Sequence, residues 1–581
     1  MNTIRLKTPF EVGKVPLSEY PRPQFARDSY KTLNGYWDYS IFRREDGFPG
    51  WQGKILVPYS PECLLSGLPE GMEVKPDDVL CYRLKFDMDE SFFKGCTLLH
   101  FDAVDCFATV YLNEQELGTH VGGYTAFGFD VTGIIKAGTN VLEVIVTDPS
   151  DTSYHSRGKQ KLSHGGIWYT PQSGIWQSVW LESLPETHLR DMTILPDIDR
   201  DKLVIKLDIA GDVESVDIAI MDGNKLITAV KCFDDVAVID FDDYELWSPE
   251  NPKLYDLAVK VGDDIVRSYF GMRKFSVITD RDGYRRLALN NKPYFHTGVL
   301  DQGYWSDGML TPPSNAALEY DVKLVKSMGF NMIRKHIKIE PLRWYYHCDK
   351  EGVLVWQDMV SGGTDYSFWA IGILPFIGIH VRDDHYKFFS RADEEGRREY
   401  LSEMADTVSR LKNCVSLAVW VPFNEGWGQF DSVRITEKLR SLDPTRIIDS
   451  VSGWHDQGRD TSQLKSLHVY FRPVRIPRDR RCIVLSEFGG YSLPTEGHMF
   501  SPGKLFGYKK FKTRDDFAAA FERLYEKEVI PAIKKGLSAT VYTQVSDVEE
   551  EINGLVTYDR RVVKLPREVA RRINAKLVLK A

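Results

Sequence analysis

From about Tyr36 to Glu182, apolar and polar residues alternate with a period of two in short runs: "YRLKFDM", "CTLLHFDAV", "FATVYLNEQELG", "NVLEVIVTD" and "SGIWQSVWLES". Such alternation puts one face of each run in a core and the other toward water, so these are half-buried antiparallel strands. Turn residues separate them at hairpin spacing, with Asn113-Glu114 and Gly138-Thr139 as expected turns. The expectation is a jelly-roll-like β-sandwich over residues 1–185. A second alternating set follows: "KLVIKLDIA", "SVDIAIMD", "VAVIDF", "YDLAVKVG" and "VRSYFGMRKF". Its length suits an immunoglobulin-like β-sandwich over residues 186–277. The Pro-rich "LWSPENPKLYDL" within it reads as a loop leading into an edge strand, because proline cannot donate to a ladder.

After residue 278 the period changes. Apolar runs now alternate with segments of helical period, the pattern of a parallel sheet wrapped by helices. The candidate strands are "YFHTGV" (294–299), "MIRKH" (332–336), "VLVWQ" (353–357), "LAVWVPF" (417–423), "RIIDSV" (446–451), "SLHVY" (466–470), "CIVLSEF" (482–488) and "ATVYTQV" (539–545). Amphipathic segments such as "SNAALEYDVKLVKSMG" and "RDDFAAAFERLYEKEVIPAIKK" lie between them. Eight such strands predict a closed (β/α)8 TIM barrel over residues 278–581, the third domain of a multidomain chain.

The composition narrows the classes. A chain of 581 residues is too long for one core, and 43% hydrophobic with 27% charged residues is ordinary for a soluble protein. A net charge of −9 argues against nucleic acid or an anionic membrane as partner. The basic cluster "RPVRIPRDRR" at 472–481 reads as a solvated loop rather than a polyanion site. The N-terminus lacks the apolar core of a secretory signal, and "FWAIGILPFIGIHV" is too short and too broken by Gly and Pro to span a bilayer. Eight cysteines are scattered singly, without a C-x-x-C pair, as in a reduced cytoplasmic protein. Signatures of zinc proteolysis, nucleotide hydrolysis and dinucleotide binding are missing.

Barrel chemistry collects at the C-terminal ends of strands, and two carboxylates stand there. Glu425 follows the fourth candidate strand in "VPFNEGWGQF", and Glu487 ends the seventh in "IVLSEFGG". A carboxylate after a buried run is costly to desolvate unless it is paired, solvated or used. Paired carboxylates across a pocket are what glycoside hydrolysis needs, one as proton donor and one as nucleophile or base. Asn424 is placed to hydrogen-bond a sugar hydroxyl, and Trp427 and Trp454 can offer flat apolar faces to sugar rings.

"WVPFNEGWGQFD" and "VLSEFGG" resemble the acid/base and nucleophile segments of glycoside hydrolase family 2, the family of β-galactosidases, β-glucuronidases and β-mannosidases. The likeness is collinear along nearly the whole chain, through "YPRPQFARDSYKTLNGYWDYS", "SGIWQSVWLE", "YFGMRKF", "NMIRKHIKIEPLRWYYHCDKEGVLVWQD" and "INGLVTYDR". It implies a retaining double displacement, with Glu425 as general acid and then base and Glu487 as nucleophile. It also implies that Tyr470 contacts the nucleophile and that His336, with a one-residue slip in the alignment, binds sugar hydroxyls. Gln544, ending the eighth strand, is expected from position to reach a sugar hydroxyl.

Departures from the family pattern bear on the substrate. The β-glucuronidases carry an Asn-x-Lys motif for the sugar carboxylate, where this chain has Glu551-Ile552-Asn553, so a uronic acid is disfavoured. The Glu-x-His pair of the metal-dependent β-galactosidases is missing after strand three, where "MVSGGTDYSF" stands, and position 490 is Gly rather than His. No cofactor is therefore required, and an active-site magnesium is in doubt. The insertion at 359–395 is expected at the pocket face, shaping the aglycone side or an oligomer contact, or folding its apolar residues back onto the barrel. The resulting expectation is an exo-acting β-glycosidase, foremost a β-galactosidase. Another β-glycosidase specificity and a non-catalytic carbohydrate-binding protein on the same scaffold are the alternatives.

Overall fold

The computed structural model describes residues 4–458 and 460–579. In the first sandwich a six-stranded antiparallel sheet runs in the order Gly53–Val57, Gly35–Arg43, Asp78–Met88, Gly138–Thr147, Phe107–Leu112, Gln115–Val121. It packs on a second sheet of Lys31–Thr32, Val179–Leu184, Cys96–Phe101 and Phe127–Asp130. Cys96–Phe101 and Phe107–Leu112 alternate strictly between half-buried and buried residues, and Trp37, Tyr82, Leu99 and Val144 fill the space between the sheets. The Asn113-Glu114 turn forms with both residues at positive φ, as a tight hairpin demands. Gly138, expected in a turn, instead opens a ten-residue strand.

The second sandwich sets His188–Asp197, Lys202–Ala210 and Val236–Asp240 against four strands in the order Lys225–Cys232, Val216–Asp222, Tyr255–Val261, Asp264–Phe270. Tyr255–Val261 is central and paired on both sides, not the edge strand expected. The physical reason is that Pro249 and Pro252 stop short of it and leave its ladder donors intact. Arg27 ties the two sandwiches together. Buried, it donates through Nε and Nη2 to Asp264 at 2.8 Å each and lies 3.4 Å from Glu182. Burial would raise the Glu182 carboxyl, but Arg22, His100 and Arg27 around it pull it well below the usual carboxylate range.

The third unit is the barrel. Its parallel strands are β1 (His296–Asp301), β2 (Met332–Lys335), β3 (Leu354–Asp358), β4 (Leu417–Val421), β5 (Ile447–Ile448), β6 (Leu464–Val469), β7 (Cys482–Gly489) and β8 (Leu537–Thr543). They are hydrogen-bonded in the order β5-β4-β3-β2-β1-β8-β7-β6, so the barrel closes everywhere except at a seam between β5 and β6. β5 is shorter than the expected 446–451, because the chain beyond it turns to the barrel mouth, where Ser452 bridges Asn424. Helices Asn315–Ser327, Leu342–Glu351, Glu394–Leu411, Ser432–Leu442, Arg514–Leu524 and Arg567–Asn574 contribute to the outer layer. The first is capped by Ser314, whose side chain accepts from the Ala317 amide. Below, Trp247 and the hairpin Phe275–Thr279/Arg285–Leu289 share a core with Leu354, Trp356, Val419 and Val541 and floor the barrel. A closed floor leaves the C-terminal mouth as the place for a site.

The 359–395 insertion does not fold all its apolar residues back. Phe368, Trp369 and Ile377 are more than half exposed. All eight cysteines are free thiols. Among the described residues, no helix is long and apolar enough to cross a membrane.

Candidate active site

Two strand ends build the centre. β4 runs out through Pro422 and Phe423, and the chain then turns so sharply that Glu425 takes a left-handed conformation, φ 49°. An L-residue there costs on the order of 1–3 kcal/mol, which the surroundings must offset. They do so through the Glu425 amide, which donates to the Ser452 carbonyl at 3.0 Å, and the Trp427 amide, which donates to the Asn424 carbonyl at 2.9 Å. The turn aims a carboxylate at the barrel axis. Gly426 (φ 76°) completes it, since a Cβ there would meet the His455 ring at 2.9 Å. Glu487 reaches the same centre from β7, and both carboxylates are more than nine-tenths buried.

A carboxylate oxygen of Glu425 lies within 4.8 Å of one of Glu487. That is the gap between single oxygens; retaining glycosidases hold the two carboxyl groups themselves about 5–5.5 Å apart, and inverting ones about 6.5–9.5 Å. His468, at the end of β6, sits between them: its Nδ1 is 2.7 Å from Glu425 Oε1, and its Nε2 is 3.6 Å from Glu487 Oε1. Beneath them Arg334 on β2 spends every donor. Nε and Nη2 donate to Asp358 at 3.0 Å each, Nη2 to Asn424 Oδ1 at 2.8 Å, and Nη1 to the Ser486 carbonyl at 3.0 Å and Glu487 Oε1 at 3.2 Å. The Tyr470 hydroxyl donates to Glu487 Oε2 at 2.5 Å, and its ring stacks on Tyr508 at 3.8 Å.

The environments of the two carboxyls diverge. Burial alone pushes both up. For Glu425 it prevails, reinforced by repulsion from Glu487 and only partly opposed by His468, so this carboxyl sits above the usual range. For Glu487 the charges of His468 and Arg334 and the Tyr470 hydrogen bond outweigh burial and hold it below. Tyr470, pushed far up by burial and by Glu487, stays a donor. Such divergence separates a proton donor from an ionised partner.

The other expected residues fall as follows. Asn424 turns its carbonyl oxygen to Arg334, leaving a buried amide Nδ2 with no protein partner, a donor available to a hydroxyl. His336 is buried with Nδ1 2.7 Å from Asp358, and burial keeps the ring neutral. Trp427 is packed into an aromatic cluster with Trp168, Tyr366 and His336. Trp454 lines a cavity of about 540 Å³ together with His468 and Tyr470. Gln544, expected to reach a sugar hydroxyl, has its amide engaged within the protein. It is wholly buried, its carbonyl accepts from Gln302 at 2.7 Å and its amide donates to Asn553 at 2.8 Å. Both ends of the amide are thereby occupied inside the protein.

Sequence reasoning passed over Arg334, Asp358 and His468, although a charge inside "MIRKH" and a histidine inside "SLHVY" break apolar strands much as Glu425 does. It also passed over Lys159. A loop of the first sandwich carries this buried lysine to the barrel mouth, with Nζ 3.3 Å from the Tyr169 hydroxyl and 3.7 Å from Glu551. Glu551 in turn accepts from the Tyr169 hydroxyl and from Asn553 Nδ2. No local pattern marks a lysine that acts across a domain boundary. Glu425, His468 and Glu487 are close enough to share a cation, but magnesium demands oxygen ligands, and a donor set with an imidazole does not fit it.

Comparison with known proteins adds three family-model matches. The family 2 glycosyl hydrolase sugar binding domain matches residues 69–185, a second glycosyl hydrolases family 2 model matches 187–273, and that family's TIM barrel domain matches 282–574. A β-galactosidase of Thermoanaerobacter pseudethanolicus is 25% identical over 443 residues, covering 72% of this chain and 54% of the relative. The chain spans about half the length of the curated relatives it matches first. Among solved structures, the β-D-glucuronidase of Dictyoglomus thermophilum superposes with a TM-score of 0.73 at 17% identity, covering 96% and 98% of the two chains. The β-galacturonidase of Eisenbergiella tayi gives 0.71 at 17% identity and covers 99% of each.

Proposed function

The chain belongs to glycoside hydrolase family 2, and on that premise we propose that it is a retaining exo-β-glycosidase. The observation that carries this reading is the pair Glu425 and Glu487, within 4.8 Å of each other and shifted in opposite directions. In the first step the ionised Glu487 attacks the anomeric carbon while protonated Glu425 gives its proton to the departing glycosidic oxygen. The bond to the aglycone breaks as the glycosyl–Glu487 ester forms. Glu425, now a carboxylate, takes a proton from water, whose oxygen displaces Glu487 and releases the sugar. Arg334 and Tyr470 hold the nucleophile ionised and oriented in both steps, and Asn424 Nδ2 offers a donor beside the reacting carbon. None of these steps is routed through a metal, so chelation with EDTA should leave the rate unchanged.

For the sugar, β-galactoside is the leading reading. Curated relatives named β-galactosidase support it, as does a carboxylate at Glu551 that opposes a uronic acid. A second reading, β-glucuronide or β-galacturonide, is favoured by Lys159, whose ammonium 3.7 Å from Glu551 offsets that charge. A panel of p-nitrophenyl β-galactoside, β-glucoside, β-mannoside, α-L-arabinopyranoside, β-glucuronide and β-galacturonide, with wild type and Glu487→Gln, tests both. Wild type cleaves one class and Glu487→Gln cleaves none. Cleavage of no glycoside, with sugar binding retained, would instead support a carbohydrate-binding protein. Activity of Glu487→Gln equal to wild type would remove Glu487 from the nucleophile role.

A further inference from the structure

We propose that the leaving-group side of this site is built for an anionic ring, a sugar or aromatic group that carries a carboxylate or sulfate. The inference rests on the glycosidase reading above and concerns the half of the substrate that reading leaves open. Beside the catalytic pair lies the cavity of about 540 Å³ whose wall includes His468, the hydrogen-bond partner of Glu425. The leaving group must stand next to the acid that protonates it, so a cavity on the Glu425–His468 side is where the aglycone goes. Asn424 and His336, candidates for sugar hydroxyls, are not part of its wall, and the two carboxylates adjoin it through their partners His468 and Tyr470.

The charge of this wall is one-sided. Lys465, Arg472 and Arg475 line it, and no Asp or Glu does so among the described residues, in a protein whose net charge is −9. Lys465 donates to Asp456 at 2.8 Å, and the segment after β6 places the side chains of Arg472 and Arg475 in the wall. Trp454, Tyr470 and Phe471 line the same space, and Phe471 is 68% exposed. Flat faces beside guanidinium groups suit a planar or ring-shaped anion, which can stack and accept paired hydrogen bonds together. Pro375 and His380 bring the 359–395 insertion onto the opposite rim. The basic run is the exposed loop that the sequence predicts, and on this proposal two of its arginines, Arg472 and Arg475, also meet the leaving group.

The test keeps the glycone that the panel identifies and varies only the leaving group, in two pairs. One is the 4-methylumbelliferyl against the 3-carboxyumbelliferyl glycoside. The other is the glycone linked to glucose against the same glycone linked to glucuronic acid. Wild type is compared with Arg472→Gln/Arg475→Gln by the ratio of kcat/KM, anionic over neutral, so that intrinsic leaving-group reactivity cancels. We expect the double substitution to lower that ratio roughly tenfold or more in at least one pair. It should leave the neutral substrates within about twofold, and salt should erode the wild-type preference. A drop in the aryl pair alone identifies an aromatic acid, and one in the disaccharide pair alone a uronic acid. An unchanged ratio in both pairs overturns the proposal while leaving the glycosidase reading intact, whereas failure of wild type to cleave even the neutral glycosides would overturn that reading itself.

Discussion

His468→Leu removes a side chain that lies within 3.6 Å of both carboxylates while keeping the volume roughly constant. The 2.7 Å contact with Glu425 is a hydrogen bond to an ionisable group, worth about 1.5–3 kcal/mol. At about 1.36 kcal/mol per pH unit that corresponds to roughly 1–2 units. The sign is the same for both partners. Glu425 already lies above the usual range and is restrained by His468, so the substitution raises it further and carries the alkaline limb of the pH–rate profile to higher pH. Glu487 lies below its usual value partly because of the His468 charge 3.6 Å away, so it too rises and carries the acid limb upward. The alkaline limb therefore moves up by about 1–2 units and the acid limb moves in the same direction, with the two limbs reporting the coupled pair rather than single residues. The assay is kcat/KM for the best aryl glycoside from pH 4 to 10, with a thermal melt to show that the variant folds. Limbs that stay within about 0.3 unit of wild type, roughly 0.4 kcal/mol, would refute the electrostatic role of His468.

Tyr470→Phe deletes the hydroxyl at 2.5 Å from Glu487 and should move only the acid limb upward by about 1–2 units, seen as early loss of activity on acidification. Glu425→Ala should cost about 10²–10⁴-fold on substrates whose leaving group needs protonation and much less on activated aryl glycosides, with azide restoring turnover and giving the β-glycosyl azide by NMR. Asn424→Ala also strips an acceptor from Arg334, and kcat should fall by roughly 10²-fold, about 2.7 kcal/mol, with KM changing less. Away from the site, Arg27→Met leaves Asp264 and Glu182 buried without that cation, and urea unfolding should show a loss of about 3–5 kcal/mol.

The periods of two and 3.6 residues carry the architecture, because a half-buried strand and a wrapped helix each require one face in oil. That is why two sandwiches and a barrel are legible in the residue pattern. The misreadings have local causes. Proline in "LWSPENPKLYDL" speaks only of its own missing donor, and the ladder of Tyr255–Val261 begins beyond it. Gln544 sits at a strand end that reads as rim, yet the chain after β8 folds over it and supplies Asn553, while Gln302 after β1 supplies the other partner.

The fold and the two carboxylates are written in the linear chain, since a charge ending an apolar strand is costly wherever that strand is placed. What those carboxylates can do depends on how the strands are brought together in space. Their separation, the arginine and tyrosine that ionise one, and the histidine between them come from different strands, and electrostatics depends on distances that no spacing along the chain records. Folding likewise brings Lys159 from another domain to the barrel mouth.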